Sequence, residues 1–143
     1  MSKEIIMKLQ RIQLFSRIYV WFSAISLLSV SLMAFISPQA VMDLVQVKLS
    51  NTDAFSSIRG VYGGVGLTIF IWLLHTLKKD RQESLLFLSI FWGLYAASRI
   101  ATLMVEGPLG AFGKQWLGIE LVFCLLAVLL FSLNKRIAVY QKA

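Results

Sequence analysis

Four stretches of the chain are apolar for long enough to cross a bilayer: Ile18 to Ser37, Gly60 to Leu77, Ser84 to Val105 and Trp116 to Leu133. A hydrocarbon core of ~30 Å takes about 20 helical residues. The first stretch carries no charge. The third contains Arg99 and the fourth contains Glu120. The pattern predicts an all-α integral membrane protein, a bundle of four transmembrane helices forming one domain over residues 1–143. The first stretch is too long for the apolar core of a cleaved signal peptide and no small-residue cleavage site follows it, so it is expected to stay as a helix. Pro38 should stop it, because proline cannot continue a helix interior.

The connections differ in character. Gln39 to Ile58 mixes Ala40, Val41, Leu44, Val45 and Val47 with Asp43 and Lys48, which suits a short helix lying in the interface. Asn51-Thr52-Asp53 reads as a turn or a helix N-cap. The segment from Glu106 to Gly113 reads as a glycine-rich loop, with Gly107 suited to end a helix and Pro108 unable to extend it. Before the first span, cations alternate with Ile5, Ile6, Leu9, Ile12 and Leu14 without a clean apolar face. That stretch is expected to rest on headgroups before the membrane is entered.

Charge then orients the helices. Lys3, Lys8, Arg11 and Arg17 precede the first span, Lys78, Lys79 and Arg81 fill the turn between the second and third, and Lys135, Arg136 and Lys142 follow the fourth. The opposite side has Lys48, Arg59 and Lys114, a bias of ten to three. The excess of Lys and Arg marks the cytoplasmic side, so both termini are expected there (N-in/C-in). Composition agrees: 58% of the residues are hydrophobic, more than a soluble domain of 143 residues can hide. The net charge of +7 therefore points to anionic lipids on the cytoplasmic side and not to nucleic acid, for which no motif is present. Trp116 and Tyr140 suit interfacial anchoring, whereas Trp92 is placed for packing.

Several chemistries have no support in the sequence. Cys124 stands alone in an apolar run and reads as a packing residue. His75 has no second His or Cys near it, so no metal site is expected. Gly63-Gly64-Val65-Gly66 lacks the lysine and spacing of a phosphate loop. No nucleophile and base pair, and no cofactor motif, is recognisable.

Charge inside the apolar spans is the informative feature, because an arginine at a bilayer centre costs ~2.5–3.5 kcal/mol on translocon scales. Arg99 lies about 9 Å below the end of its span at Val105, and Glu120 about 6 Å below Trp116, at 1.5 Å per residue. The two should meet as an ion pair, since helices joined by a short link are usually neighbours. Arg59 opens the second span and Glu106 closes the third at the same outer side. Tyr62 and Tyr95 lie one turn deeper than Arg59 and Arg99. The six residues would make an outward-facing polar pocket, or the charges would simply lock helices in register. Small residues form a second feature. Gly60, Gly63 and Gly64 crowd the second span, with Gly60 and Gly64 in a GxxxG, while Gly93 and Ala97 continue to Ala101 at every fourth position. Such faces let backbones approach closely, within the chain or in a homodimer.

Arg59-Gly60-Val61-Tyr62-Gly63-Gly64, Ser98-Arg99, Glu106-Gly107-Pro108 and Glu120, in this order, resemble the bacterial membrane family catalogued as domain of unknown function 4345. The resemblance covers most of the chain. It implies four helices in a bacterial cytoplasmic (inner) membrane and no assigned activity. Members often carry an acidic residue two positions before the first arginine. Ser57 stands there in this chain, so Glu106 or Glu120 would have to balance Arg59.

The leading expectation is a non-enzymatic membrane protein that binds a lipid-like or small anionic ligand near the outer leaflet. Arg59 and Arg99 would contact the anion, Glu106 and Glu120 would orient them, and Tyr62 and Tyr95 would donate hydrogen bonds. Two alternatives stand beside it. One is a scaffold or complex subunit packing through the glycine faces against a membrane partner. The other is a proton-coupled transporter or membrane enzyme using Glu120.

Overall fold

The structure, a computed structural model, describes the backbone of residues 3–142 and the side chains of residue 4 and residues 7–137. Tyr140, expected at an interface, and Lys3, Ile5, Ile6 and Lys142 of the flanking segments fall outside the described side chains. The elements in chain order are α1 (Lys3–Ile36), α2 (Pro38–Asp43), α3 (Thr52–Ile58), a π-helical segment (Arg59–Gly64), α4 (Val65–Lys79), α5 (Arg81–Val105) and α6 (Ala111–Lys142). Among the described residues, four helices are long and apolar enough to cross a membrane: Met7–Ile36, Thr52–Lys79, Arg81–Val105 and Ala111–Ile137.

Each helix is longer than its apolar stretch. The N-terminal cations do not form a separate surface segment; α1 runs unbroken for 34 residues, about 51 Å. Nothing in its sequence before Pro38 breaks a helix, so the turns continue into the polar zone. The second span begins at Thr52 and not at Gly60. Asn51 caps it, its side-chain oxygen accepting the Ala54 N–H at 2.8 Å. Asp80 caps α5 in the same way, accepting from the Gln82 N–H at 2.8 Å. The fourth helix starts at Ala111, which brings Phe112 and Gly113 out of the expected loop and into a helix. Gly107 ends α5 at φ +106°, a conformation that an L side chain resists.

The chain divides into two compact units, residues 21–76 and residues 1–20 with 77–143. In the unit of residues 21–76, Pro38 occupies the first turn of α2, where its missing N–H costs nothing. Ala34, Val41 and Met42 form a small buried core with Leu49 and Ile58 against it. The Gln39 side chain fastens the loop that follows: its amide donates to Asp43 at 2.6 Å and to the Val47 carbonyl at 2.9 Å, and its oxygen accepts from the Leu49 N–H at 2.9 Å.

In the other unit α5 and α6 pack as antiparallel neighbours. Gln82 donates to the Asn134 carbonyl at 3.3 Å, the Trp92 and Phe123 rings lie 5.1 Å apart, and Arg99 meets Glu120. Leu85, Leu88, Trp92 and Ala96 of α5 and Ala127 of α6 are buried. Tyr19 of α1 donates to the Phe123 carbonyl at 2.8 Å. Asn134 is also buried and donates to Ser16 at 2.7 Å and to the Leu130 carbonyl at 2.7 Å.

Many Leu, Ile, Val and Phe side chains of all four long helices remain exposed, as lipid-facing surfaces require. Several hydroxyls within the helices donate back to carbonyls of the preceding turn, as in Ser31 to Leu27, Thr68 to Gly64 and Thr102 to Ser98. They need no water to be satisfied. The protein is thus a multi-pass membrane protein built on four long apolar helices.

Candidate functional site

The Arg99–Glu120 ion pair is present. The Arg99 Nε donates to both carboxylate oxygens, at 2.7 and 2.9 Å. The Glu120 side chain is 1% exposed and that of Arg99 is 21% exposed. The carboxylate is therefore wholly enclosed, while the arginine side chain is partly exposed. Among the described residues, the Arg99 Nη groups have no hydrogen-bond partner. The guanidinium carbon lies 5.9 Å from the centre of the Phe112 ring, within range of a cation–π attraction. Phe112 in turn packs near Trp116, ring centres 6.0 Å apart. This contact exists because α6 begins early enough to place Phe112 on a helix.

Local structure explains the meeting. Gly107 permits a tight exit from α5, with the Glu106 and Gly107 N–H groups returning to the Thr102 carbonyl at 2.8 and 3.3 Å. The reversal brings α6 back alongside α5. Gly93 keeps the helices close: a Cβ there would stand 3.4 Å from the Cys124 sulfur. The pair so formed is neutral as a unit, which offsets the cost of placing either charge among apolar spans.

The other expected members of the pocket occupy different settings. Tyr95 lies one turn from Arg99 on α5, with its ring 4.8 Å from Phe91 and 6.5 Å from Trp92. Glu106 is exposed and caps the C-terminus of α5. Among the described residues, salt bridges join Lys8 to Glu4 and Arg99 to Glu120, and none involves Arg59 or Glu106. In the unit of residues 21–76, the Arg59 Nε donates to the Phe35 carbonyl at 3.2 Å. That carbonyl lies in the last turn of α1, where the helix supplies no donor of its own. Tyr62 belongs to the π-helical segment and its ring is partly exposed.

The glycines divide by role. Gly63 lies against the Phe35 ring, 2.9–3.2 Å from an added Cβ, and Gly66 lies directly against the Ser31 hydroxyl. Gly60 has nothing within 4 Å of the same position, and Gly64 meets only the Arg59 carbonyl at 4.0 Å. Ala97 and Ala101 are exposed, whereas Ala96 faces inward. Close approach between helices thus falls to Gly63, Gly66 and Gly93, while the GxxxG face lies open.

Two polar features had no counterpart in the sequence reading. One is the buried Asn134–Ser16 contact, which joins residues 118 positions apart. The other is a cleft of about 210 Å³ lined by Gln10, Gln13, Leu14, Arg17 and Arg81. The spacing of the four α1 residues, at steps of three and four, was the available signal. Among the described residues no three His, Cys, Asp or Glu side chains converge as metal ligands would.

Compared with known proteins, the chain matches the model of one family, described as a domain of unknown function (DUF4345), over residues 15–131. No curated protein and no solved structure matches it.

Proposed function

The chain belongs to the DUF4345 family, and on that premise we propose a non-enzymatic membrane protein whose Arg99 receives the anionic group of a lipid-like or small ligand. The observation that carries this reading is the split use of the guanidinium. Its Nε is committed to the enclosed Glu120, which fixes the plane of the fork. Its Nη groups have no hydrogen-bond partner among the described residues and form the edge that pairs two-pronged with carboxylate or phosphate. Glu120 is the orienting group and Tyr95, one turn away, lines the approach. Glu106, exposed at the end of the same helix, is proposed as its outer rim. With the cationic ends facing the cytoplasm of a bacterial inner membrane, the ligand would be met at the outer leaflet.

Native mass spectrometry of the protein released from its own membranes tests the reading. The wild type is expected to carry a small bound mass that is absent from the double variant Arg99→Met/Glu120→Leu. The double variant is the informative one, because it leaves no unpaired charge behind. A wild type that flies bare, or a double variant that keeps the mass, refutes the assignment.

A second reading is favoured by the open Gly60 and Gly64 face: a subunit that packs against a second copy or a membrane partner. Loss of association in Gly60→Leu or Gly64→Leu, with the monomer folded, would support it.

A further inference from the structure

We propose that the cleft between the N-terminal half of α1 and the start of α5 is a binding site for the phosphate-bearing headgroup of an anionic phospholipid. It is separate from Arg99 and stands whether or not that site is occupied.

Gln10, Gln13, Leu14 and Arg17 fall at i, i+3, i+4 and i+7, which places them on one face of α1. Arg81 closes the cleft from α5. The lining holds two guanidiniums, two amides and one apolar side chain, and no carboxylate. The acids beside Arg81 in sequence are engaged or turned outward: Asp80 caps the Gln82 N–H and Glu83 is exposed.

Two arginines facing a shared cleft repel one another. The Arg81 Nε is also buried without any hydrogen-bond partner. A buried donor left unpaired costs on the order of 1–3 kcal/mol, and more for a charged group. A phosphate oxygen resolves both conditions, since it offers the acceptor and cancels the repulsion. The space is about 210 Å³, several times the share of one water in the liquid.

The level of the cleft selects a lipid over a soluble anion. Arg17 is the last charge before the apolar run of α1, and Arg81 precedes the apolar run of α5 by three residues. The Asn134–Ser16 and Gln82–Asn134 contacts bring the end of the α6 apolar run to the same height. Leu14, Phe15 and Ile18 beside it are exposed apolar side chains, suited to acyl chains. A phosphate held here is thus held where headgroups lie.

The test is a lipid titration of the purified full chain in detergent, followed by native mass spectrometry and thermal unfolding. Phosphatidylglycerol is compared with phosphatidylcholine. The wild type is expected to take one phosphatidylglycerol at a concentration at least about tenfold below phosphatidylcholine, because the two arginines repel the choline cation that the latter carries beside the same phosphate. Arg17→Gln/Arg81→Gln should lose that preference, and its lipid-free unfolding temperature should not fall, because the substitutions relieve repulsion. If that variant does not fold, Arg17→Gln alone serves, since Arg17 is exposed. Lys135→Gln/Arg136→Gln removes the same charge from exposed positions on α6 and should keep the preference. Equal binding of the two lipids, or equal loss in the α6 control, overturns the proposal. A wild type stabilised by inorganic phosphate alone, and no further by phosphatidylglycerol, assigns the cleft to a soluble anion and overturns it as well.

Discussion

Removing Arg99 while keeping Glu120 should be far more damaging than removing both. In Arg99→Met the carboxylate is left enclosed, 1% exposed, with its hydrogen-bond donor gone. Breaking a buried pair from one side costs about 3–5 kcal/mol. The carboxylate can escape by taking a proton. From an ordinary glutamate pKa of about 4.3, that costs about 3.7 kcal/mol at pH 7 and about 1 kcal/mol at pH 5. Protonation therefore limits the part of the loss at pH 7 that comes from the unpaired charge to about 4 kcal/mol. The folded variant holds a proton that the unfolded chain releases, so its stability is greatest in acid and falls as the pH rises toward neutrality. Glu120→Leu should cost less, about 1–2 kcal/mol, because the long arginine stem can carry its charge outward. In the double variant the two apolar side chains fill the space, and its stability should lie within about 1 kcal/mol of the wild type. Thermal unfolding in detergent micelles at pH 5 and pH 7, followed by tryptophan fluorescence, reads all four proteins. A double variant as unstable as Arg99→Met at pH 7, or an Arg99→Met defect that does not shrink in acid, would refute the reasoning.

Three further outcomes follow from the packing and the topology. Gly66→Ala should lower stability by about 1–3 kcal/mol because its Cβ meets the Ser31 hydroxyl, whereas Gly60→Ala should be close to neutral, both read by thermal unfolding. Asn134→Leu should cost about 1–3 kcal/mol by removing the donor to Ser16 and the Leu130 carbonyl; an unchanged unfolding temperature would show that the contact is dispensable. In a Cys124→Ser background, thiol labels at Asn51→Cys and Gly110→Cys should react from outside intact cells and one at Arg81→Cys should not. Outside labelling of the last would reverse the proposed orientation.

The spans and the central ion pair were legible because each leaves a local mark. A run of some twenty apolar residues is visible in any window, and Arg99 and Glu120 stand out as isolated charges joined by a short link. Asn51 and Gly107 were legible for a similar reason, since a cap and a positive φ each favour a narrow set of residues. The helix starts were misplaced because hydropathy marks where lipid begins and not where hydrogen bonding begins. Thr52 to Arg59 is polar and helical at once. The glycine roles were not legible either, since identical residues at Gly60 and Gly63 differ only in whether Phe35 stands opposite. The Asn134–Ser16 contact and the Arg17–Arg81 cleft join residues far apart in the chain, and no local pattern states such a meeting.

The π-helical segment at Arg59–Gly64 has a consequence for which sequence changes this helix can accommodate. A π turn is an α-helix with one residue too many, the surplus absorbed by wider hydrogen bonding. One residue in an α-helix is about 100° of rotation. Deleting a single residue from within Arg59–Gly64 would therefore let the segment close into ordinary α-helix while the faces of α3 and α4 keep their bearings. The same deletion a turn later, inside Val65–Lys79, would swing the rest of α4 by that angle. The segment is thus a phase buffer: a stretch of the second span where one residue can be lost without re-aiming the side chains on either side.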